Sequence, residues 1–393
     1  MEAAAAGLLD ETTWVELKEA IPAASKGANL ELAKDLASLS VDGGVLIVGI
    51  VDNKGSAGDV TGTELAGLAD RVDQVARGTI HPGLFVSIGT IEHPEKPGVG
   101  VVVISVHASS AAPHMVDGAY WGRGDAGKRR LTDPEVTRLF ELRRLTQNHT
   151  IDKLRALESE LDPLPPEHRL FGHLYVLVEP SMAVETTGRQ LRSENAMTTI
   201  RDALGTFSPN WDPGFRRSLG RAVPLRDGWA TEAMTGSDGE IASETYLLRV
   251  VAKDSAEVQV VSGAGTRDIG TRTDNVGVPT AVYTSHIIEI VHSAIMLSSH
   301  LSQGSPADVG NWRVAAKVDG LQGVMASDAY GSGVHGLDGY QGSVYEHLAD
   351  TTASEMAERP QDIVNRVVAP LLRGLGVEGR YLPYDDPNRI GRR

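Results

Sequence analysis

A short, wholly apolar run at residues 45–51 limits what the first part of this chain can fold into. The run is rich in Val and Ile, which is typical of a strand buried on both faces. Residues 28–40 carry apolar side chains at three- and four-residue spacing, and this pattern predicts a helix. Gly43 and Gly44 end the approach to the strand. A helix followed by a buried strand indicates an α/β or α+β fold.

Similar patterns continue along the first part of the chain. Residues 64–78 predict a second helix, and residues 14–18, 84–91, 100–106 and 120–124 predict strands. Thr132 or Asp133 caps a further helix, which we expect to end near Asn148. We assign residues 1–148 to a first domain.

A proline-rich segment at residues 162–166 predicts the domain boundary. Residues 149–167 are assigned to a helix and a Pro-rich linker, residues 168–383 to a second α+β domain of unknown function, and residues 384–393 to a disordered tail. The second domain has predicted strands at 173–178, 246–252 and 257–261, with the last two forming a hairpin. Helices are predicted at 284–301 and 361–375, a further hairpin from 312–318 and 321–327, and a Gly-rich flexible loop at 328–345.

Composition excludes several kinds of protein. The chain has 393 residues, a formal net charge of −15 and no cysteine, so disulfides, thiolate nucleophiles and zinc–thiolate sites are absent. A globally basic nucleic-acid binder is also disfavoured, and any such contact must come from a local basic patch or from bridging metal ions. The N-terminal residues do not resemble a signal peptide, and no apolar run is long enough to span a membrane. We therefore expect a cytoplasmic protein without membrane contact.

Three carboxylates lie on two neighbouring apolar segments. They are Glu11, Glu16 and Asp52, and oxygen ligands of this kind suit Mg²⁺ or Mn²⁺. In a strand, Glu16 and Lys18 project from one face, so Lys18 could assist a metal-dependent phosphodiesterase reaction. The alternative is that Glu16 and Lys18 form a solvated strand face and that Asp52 forms a turn.

A basic cluster follows two aromatic residues near the end of the first domain. Tyr120 and Trp121 could stack on bases, and the cations beside them could contact phosphates. The alternative is a solvated helix face with core aromatics. The cations are Arg123, Lys128, Arg129 and Arg130, and Arg138, Arg143 and Arg144 extend the cluster along the next helix.

Several short motifs, taken in order, resemble one known domain. They are Glu11 with Val15-Glu16-Leu-Lys18, the run from Gly43-Gly44 to Asp52, Val60-Thr-Gly62, Ile80-His-Pro82, the strand at 101–106, Pro113 and Tyr120-Trp-Gly-Arg123-Gly124. Over roughly residues 8 to 145, their order and spacing resemble the Schlafen AlbA-2 domain. The resemblance implies an α/β domain associated with nucleic acid. In members that cut RNA, three carboxylates form a metal-dependent endoribonuclease site, and Glu11, Glu16 and Asp52 occupy the matching positions here.

Three functions stay open from the sequence. The first is a nucleic-acid-binding protein that acts as a metal-dependent endoribonuclease on structured RNA, in stress or phage defence by analogy. The second is a non-catalytic DNA-binding regulator that uses the same basic patch, since many bacterial members are described only as DNA-binding or ATP-binding regulators. The third is a protein-interaction or signal-sensing module.

No P-loop nucleotide site is expected, because the Gly-x-x-x-x-Gly-Lys-Ser/Thr pattern is missing. The protein could also form a homo-oligomer.

Overall fold

The structure, a computed structural model, divides the chain into two compact units, residues 1–146 and 147–393. It describes residues 10–53, 55–124, 127–181, 191, 195–205, 219–235, 241, 243–269, 280–303, 310–327 and 339–384. Each unit is described by itself below.

The first unit is a mixed sheet with helices packed on it. The sheet order is β1-β2-β7-β5, with β6 also paired to β7; β1 and β2 are parallel and the other pairs are antiparallel. Its elements are β1 (Val15–Lys18), α1 (Lys26–Leu39), β2 (Gly44–Val48), β3 (Asp52–Asn53), β4 (Ser56–Ala57), β5 (Thr63–Glu64), α2 (Leu68–Gly78), β6 (Ser87–His93), β7 (Lys96–Val106), β8 (Met115–Val116), β9 (Ala119–Gly124) and β10 (Gly127–Arg130).

Helix α1 is fixed to the sheet by its apolar face. Leu32, Leu36 and Leu39 are buried in one core with residues of β2 and β7. The helix begins at Ser25, whose side-chain oxygen accepts a hydrogen bond from the backbone N–H of Ala28 at 3.1 Å. Gly44 permits the close approach of β1 and β2, because a Cβ there would lie 2.7 Å from the Trp14 carbonyl oxygen.

A second, three-stranded sheet places basic side chains beside α1. Its order is β10-β9-β8, and Lys128 lies opposite Arg123 in the antiparallel β9–β10 pair. Helix α1 contacts all three of these strands. Side chains from α1, β1, β9 and β10 therefore meet in one region, although residues 35 and 128 are far apart in sequence.

The second unit is built on a seven-stranded antiparallel sheet in the order β12-β13-β14-β15-β11-β18-β20. Its elements are β11 (Leu174–Pro180), α4 (Ala196–Gly205), β12 (Leu219–Leu225), β13 (Gly228–Ala233), β14 (Leu248–Lys253), β15 (Val258–Ser262), β16 (Thr266–Asp268), β17 (Thr280–Val282), α5 (Thr284–Ser302), β18 (Asn311–Val318), β19 (Met325–Ala326), β20 (Tyr345–Thr352), α6 (Ala353–Glu358), α7 (Pro360–Gly374) and α8 (Glu378–Tyr381). Helix α3 (Asp133–Glu160) runs without a break through the position where the two units divide.

Alternation along β11 shows how the sheet of the second unit is covered. Leu174 and Val176 face the large core that contains α5 and α7, whereas Tyr175 and Leu177 pack with residues of α3 such as Leu154. Both faces are buried, which explains why the central strands are almost entirely apolar. The predicted α+β class is confirmed for the chain.

Two local predictions for secondary structure need correction. Residues 312–318 and 321–327 do not form a hairpin, because β18 pairs with β11 and β20, while β19 pairs in parallel with β17. A helix break near Asn148 is also absent, since residues 148–151 continue the helical hydrogen bonding of α3. The predicted hairpin of residues 246–252 and 257–261 is observed as β14 and β15.

Two further predictions fall largely outside the described residues. They are the Gly-rich loop, of which residues 328–338 are not described, and the disordered tail, of which residues 385–393 are not described. Within the described ranges, no helix combines the length and the apolar character needed to cross a membrane.

Candidate nucleic-acid interface

Strand β1 brings two of the predicted site residues into one ion-pair arrangement. Lys18 Nζ lies 3.6 Å from Glu16 Oε1, as expected for side chains on the same strand face. Arg123, from β9, places Nη2 at 2.7 Å from Glu16 Oε2. The Arg123 side chain is only 5% exposed, so Glu16 compensates a buried positive charge.

The Arg123 guanidinium has donor groups that its neighbours do not satisfy. Within the described part of the chain, Nε and Nη1 are buried and have no hydrogen-bond acceptor, and Nη2 also lies 3.5 Å from the Thr12 carbonyl oxygen. When a buried guanidinium has a single carboxylate partner, removal of the carboxylate leaves the buried positive charge uncompensated and destabilises the fold. Glu16 is therefore a structural partner of Arg123.

A buried carboxylate on α1 joins two lysines from different strands. Asp35 Oδ2 lies 3.0 Å from Lys18 Nζ, and Asp35 Oδ1 lies 2.6 Å from Lys128 Nζ. The Asp35 side chain is 2% exposed, whereas those of Lys18 and Lys128 are 28% and 26% exposed. Both lysine side chains are consequently more exposed than the carboxylate that they share.

A second carboxylate on α1 extends the arrangement toward the helix surface. Glu31 contacts Lys34 at 2.7 Å and Lys128 at 2.9 Å. The hydrogen bond from Lys34, followed by that from Lys128, lowers the pKa of Glu31 to about 2. Burial opposes the charged form of Lys128, but its hydrogen bonds to Asp35 and Glu31 outweigh this effect and raise its pKa.

Trp121 completes the arrangement. The Lys34 ammonium lies 5.2 Å and the Arg130 guanidinium 5.7 Å from the centre of a Trp121 ring, distances typical of cation–π contacts. The indole N–H of Trp121 donates to the Val116 carbonyl oxygen at 3.2 Å. Arg130 itself is exposed, and it forms no ion pair with any described residue.

These contacts form one connected set, which we call the basic network. It contains five cations, three carboxylates and one indole, so its formal charge is positive within an acidic chain. Its members, in order of contact, are Arg123, Glu16, Lys18, Asp35, Lys128, Glu31, Lys34, Trp121 and Arg130.

Two other predicted nucleic-acid-binding residues have partners outside the basic network. Arg129 binds both oxygens of Glu135, at 2.5 and 2.9 Å, and Glu135 also accepts from the backbone N–H of Thr132. These hydrogen bonds, with Arg129 as the main cause, hold the pKa of Glu135 far below its usual range and fix the start of α3. Tyr120 packs edge-on against Phe140, with ring centres 5.7 Å apart.

The structure does not bring Glu11, Glu16 and Asp52 together as a cation site. Glu11 Oε1 accepts from the Leu17 backbone N–H at 2.9 Å, and Asp52 Oδ1 accepts from that of Gly55 at 2.7 Å in the β3–β4 turn. Among the residues described, no group of three or more His, Cys, Asp or Glu side chains could hold a metal ion.

The charges around Glu16 also disfavour Mg²⁺ or Mn²⁺. A divalent cation at Glu16 would lie beside the guanidinium of Arg123 and the ammonium of Lys18, and both would repel it. The Mg²⁺ or Mn²⁺ site at Glu11, Glu16 and Asp52 stays a prediction, and the two cations beside Glu16 count against it.

Sequence reasoning missed the three residues of α1 that organise the basic network. They are Glu31, Lys34 and Asp35. A signal for Asp35 was present, since at helical spacing it shares a face with Leu32 and Leu36, and a carboxylate on an apolar face needs a partner. The identity of that partner could not be read locally, because Lys128 lies in a different part of the sequence.

The second unit also contains buried histidines with polar partners. His173 lies between two carboxylates, with Nδ1 at 2.6 Å from Asp162 and Nε2 at 3.0 Å from Glu244. His286 Nε2 lies 2.8 Å from the Ser262 hydroxyl, and burial lowers the pKa of His286 to about 3. Both side chains are inside the protein, so these contacts stabilise the unit and offer no accessible nucleophile.

We predict that Glu16→Ala destabilises the first unit by about 3 kcal/mol, because it leaves the buried charge of Arg123 unpaired. Asp52→Ala is the matched control; Asp52 is exposed, and losing its turn hydrogen bond should cost about 1 kcal/mol or less. Urea unfolding measures the loss of stability in both variants, and hydrogen exchange of the backbone amides of β1 and β2 locates it. Equal losses for the two variants would contradict the structural role of Glu16.

We also predict that the Glu31 carboxyl titrates near pH 2 and that Lys34→Met moves its pKa toward the ordinary value of 4.5. Because the folded-state pKa is lowered, the stabilisation is present above pH 4.5 and is lost as the pH falls toward 2. Lys26→Met, at the start of the same helix, is the control and should leave the titration unchanged. Carboxyl carbon NMR shifts measure this, and a wild-type pKa near 4.5 would refute it.

Comparison with known proteins finds a family match within the first unit. Residues 11–132, which include the whole basic network, match the family model described as Schlafen, AlbA_2. No curated protein matches the chain. Among solved structures, the crystal structure of the DIP2311 protein from Corynebacterium diphtheriae is 23% identical, over 37% of this chain and 32% of that one, with a TM-score of 0.27. This chain thus spans about a third of that protein, and so low a TM-score does not establish a shared fold. The match to the Schlafen AlbA_2 family model at residues 11–132 confirms the resemblance predicted for the N-terminal third of the chain.

Proposed function

We propose that the first unit binds nucleic acid and that the basic network supplies the contacts to the phosphates. The observation that carries this proposal is one connected set of five cations: shared carboxylates link four of them, and Trp121 links the fifth, Arg130. The Schlafen AlbA_2 match associates this part of the chain with nucleic acid in general terms. Binding of phosphates at these particular side chains is part of the proposal.

Local charge explains how a chain of net charge −15 could bind a polyanion. The carboxylate between Lys18 and Lys128 is buried, while both lysine side chains are partly exposed. A phosphate approaching from solvent therefore meets the cations first. Acidic residues elsewhere are screened beyond about 8–10 Å at physiological salt, so the nearest charges dominate the interaction.

The aromatic contacts favour recognition of the nucleic-acid backbone. Trp121 lies against Lys34 and Arg130, and Tyr120 packs on Phe140, so both rings already have protein partners. Contacts to phosphates position a protein without carrying sequence information, whereas exposed aromatics would stack on bases. We therefore propose sequence-tolerant binding that depends strongly on salt, to RNA or DNA.

Binding without cleavage is the form of the proposal that the contacts support. The carboxylates needed for a metal-dependent endoribonuclease have other partners, namely Arg123 and Lys18 for Glu16 and backbone N–H groups for Glu11 and Asp52. A protein-interaction module without nucleic-acid contact would leave the conjunction of basic side chains unexplained. The endoribonuclease and the protein-interaction module each predict a result different from that of the proposal in the following experiment.

We predict that Arg130→Gln weakens binding of a fluorescent single-stranded RNA or a DNA duplex by about three- to tenfold. The slope of log K against log salt should also fall by about 0.7 for the single strand or 0.9 for the duplex. Arg129→Gln removes the same charge from the neighbouring residue, whose guanidinium is held by Glu135, and should have a smaller effect. Fluorescence anisotropy measures all three proteins.

Three results would contradict the proposal in different ways. Absence of wild-type binding at low salt would favour the interaction module, and equal effects of the two substitutions would place the contact elsewhere. RNA cleavage that requires Mn²⁺ and is lost in Asp52→Ala would restore the endoribonuclease. Asp52 is the informative position here, because its substitution leaves the buried Arg123 and Glu16 pair intact.

A further inference from the structure

Asp35 connects three elements of the first unit through one buried carboxyl group. It lies on α1, and its two oxygens contact Lys18 at the end of β1 and Lys128 in β10. Contacts of 3.0 and 2.6 Å with the two oxygens of one carboxylate keep the two Nζ atoms beside the same small group and so limit their separation. Without that carboxylate, two ammonium groups on separate strands would repel each other and move apart.

The two ammonium groups keep hydrogen-bonding capacity after these contacts. An ammonium group has three N–H donors, and each lysine contacts two carboxylates: Lys18 contacts Asp35 and Glu16, and Lys128 contacts Asp35 and Glu31. Because Asp35 is buried and both lysine side chains are partly exposed, a donor that does not contact a carboxylate is available to a group from the solvent. Two neighbouring ammonium donors at a surface match the two non-bridging oxygens of a phosphodiester.

We propose that Asp35 holds Lys18 and Lys128 together as a pair that binds one phosphate group of the nucleic-acid backbone. Asp35 is a positioning residue, since it acts through the lysines and does not touch the phosphate. This inference rests on the proposed function and adds to it a specific phosphate position and the residue that creates it.

Charge and positioning predict opposite effects for the same substitution. Asp35→Asn removes one negative charge beside the phosphate, so an effect of net charge alone would strengthen binding. If Asp35 positions the lysines, the same change lets them separate and weakens binding. Asp42→Asn is the matched control, because Asp42 is an exposed aspartate of the same unit that forms no ion pair with a described residue.

The experiment measures binding of both variants of the full chain to a single-stranded RNA and a DNA duplex over a range of salt concentrations. We expect Asp35→Asn to bind about three- to tenfold more weakly, with a salt slope reduced by about 0.7 for RNA or 0.9 for duplex. Asp42→Asn should bind equally well or slightly more tightly. Equal or tighter binding by Asp35→Asn would overturn the positioning role while leaving the proposed function intact, whereas no binding by the wild type would overturn both.

A double-mutant cycle separates positioning from a general loss of folding. In a background carrying Lys18→Gln and Lys128→Gln, Asp35→Asn should have no further effect on affinity, and an undiminished effect would overturn the proposal. If Asp35→Asn unfolds, the two lysine substitutions alone decide the question. Lysines that share one phosphate give losses that are not additive, and additive losses would overturn the proposal.

Discussion

The ion pairs of the buried Asp35 carboxylate are the interaction on which the arrangement of the first unit depends. A carboxylate that is 2% exposed is costly to bury unless cations pair with it, and Lys18 and Lys128 supply that pairing. Because each partner comes from a different strand, the same contacts join α1 to β1 and to the β9–β10 hairpin. Structural stability and the display of positive charge are therefore consequences of one set of contacts.

The same principle explains the behaviour of Glu16. The resemblance to the Schlafen AlbA-2 domain predicts that Glu16 is a metal ligand. In the structure, Glu16 compensates the buried guanidinium of Arg123. Internal pairing of this kind leaves the chain acidic overall and still concentrates cations in one region of the first unit. A negative net charge thus describes the chain as a whole and does not describe the region around α1.

Features determined by local sequence were predictable. The apolar run at residues 45–51 overlaps strand β2 (Gly44–Val48), in which Leu46 and Val48 are buried, and the spacing in residues 28–40 matches α1. The β14–β15 hairpin was also predictable, because its strands are adjacent in sequence. The pairing of β18 with β11 and β20 was not, since residues 311–318 join strands from distant parts of the chain and local alternation does not encode such partners.

The candidate site follows the same division. Lys128 and Arg130 stood out as members of a basic cluster, but the partners of Lys128 on α1, Asp35 and Glu31, lie almost a hundred residues earlier. A list of cations in sequence therefore gave no indication of which were neutralised and which were not. Arg129, held by Glu135, and Arg130, exposed beside Trp121, are adjacent in sequence but differ in this respect.

Lysine footprinting tests the central claim most directly. Acetylation of the full chain, with and without bound nucleic acid, is quantified at each lysine by mass spectrometry. The account predicts that nucleic acid protects Lys18, Lys34 and Lys128 and leaves Lys96, exposed at the start of β7, as reactive as before. Equal protection of all four lysines, or protection of Lys96 alone, would contradict binding at the basic network.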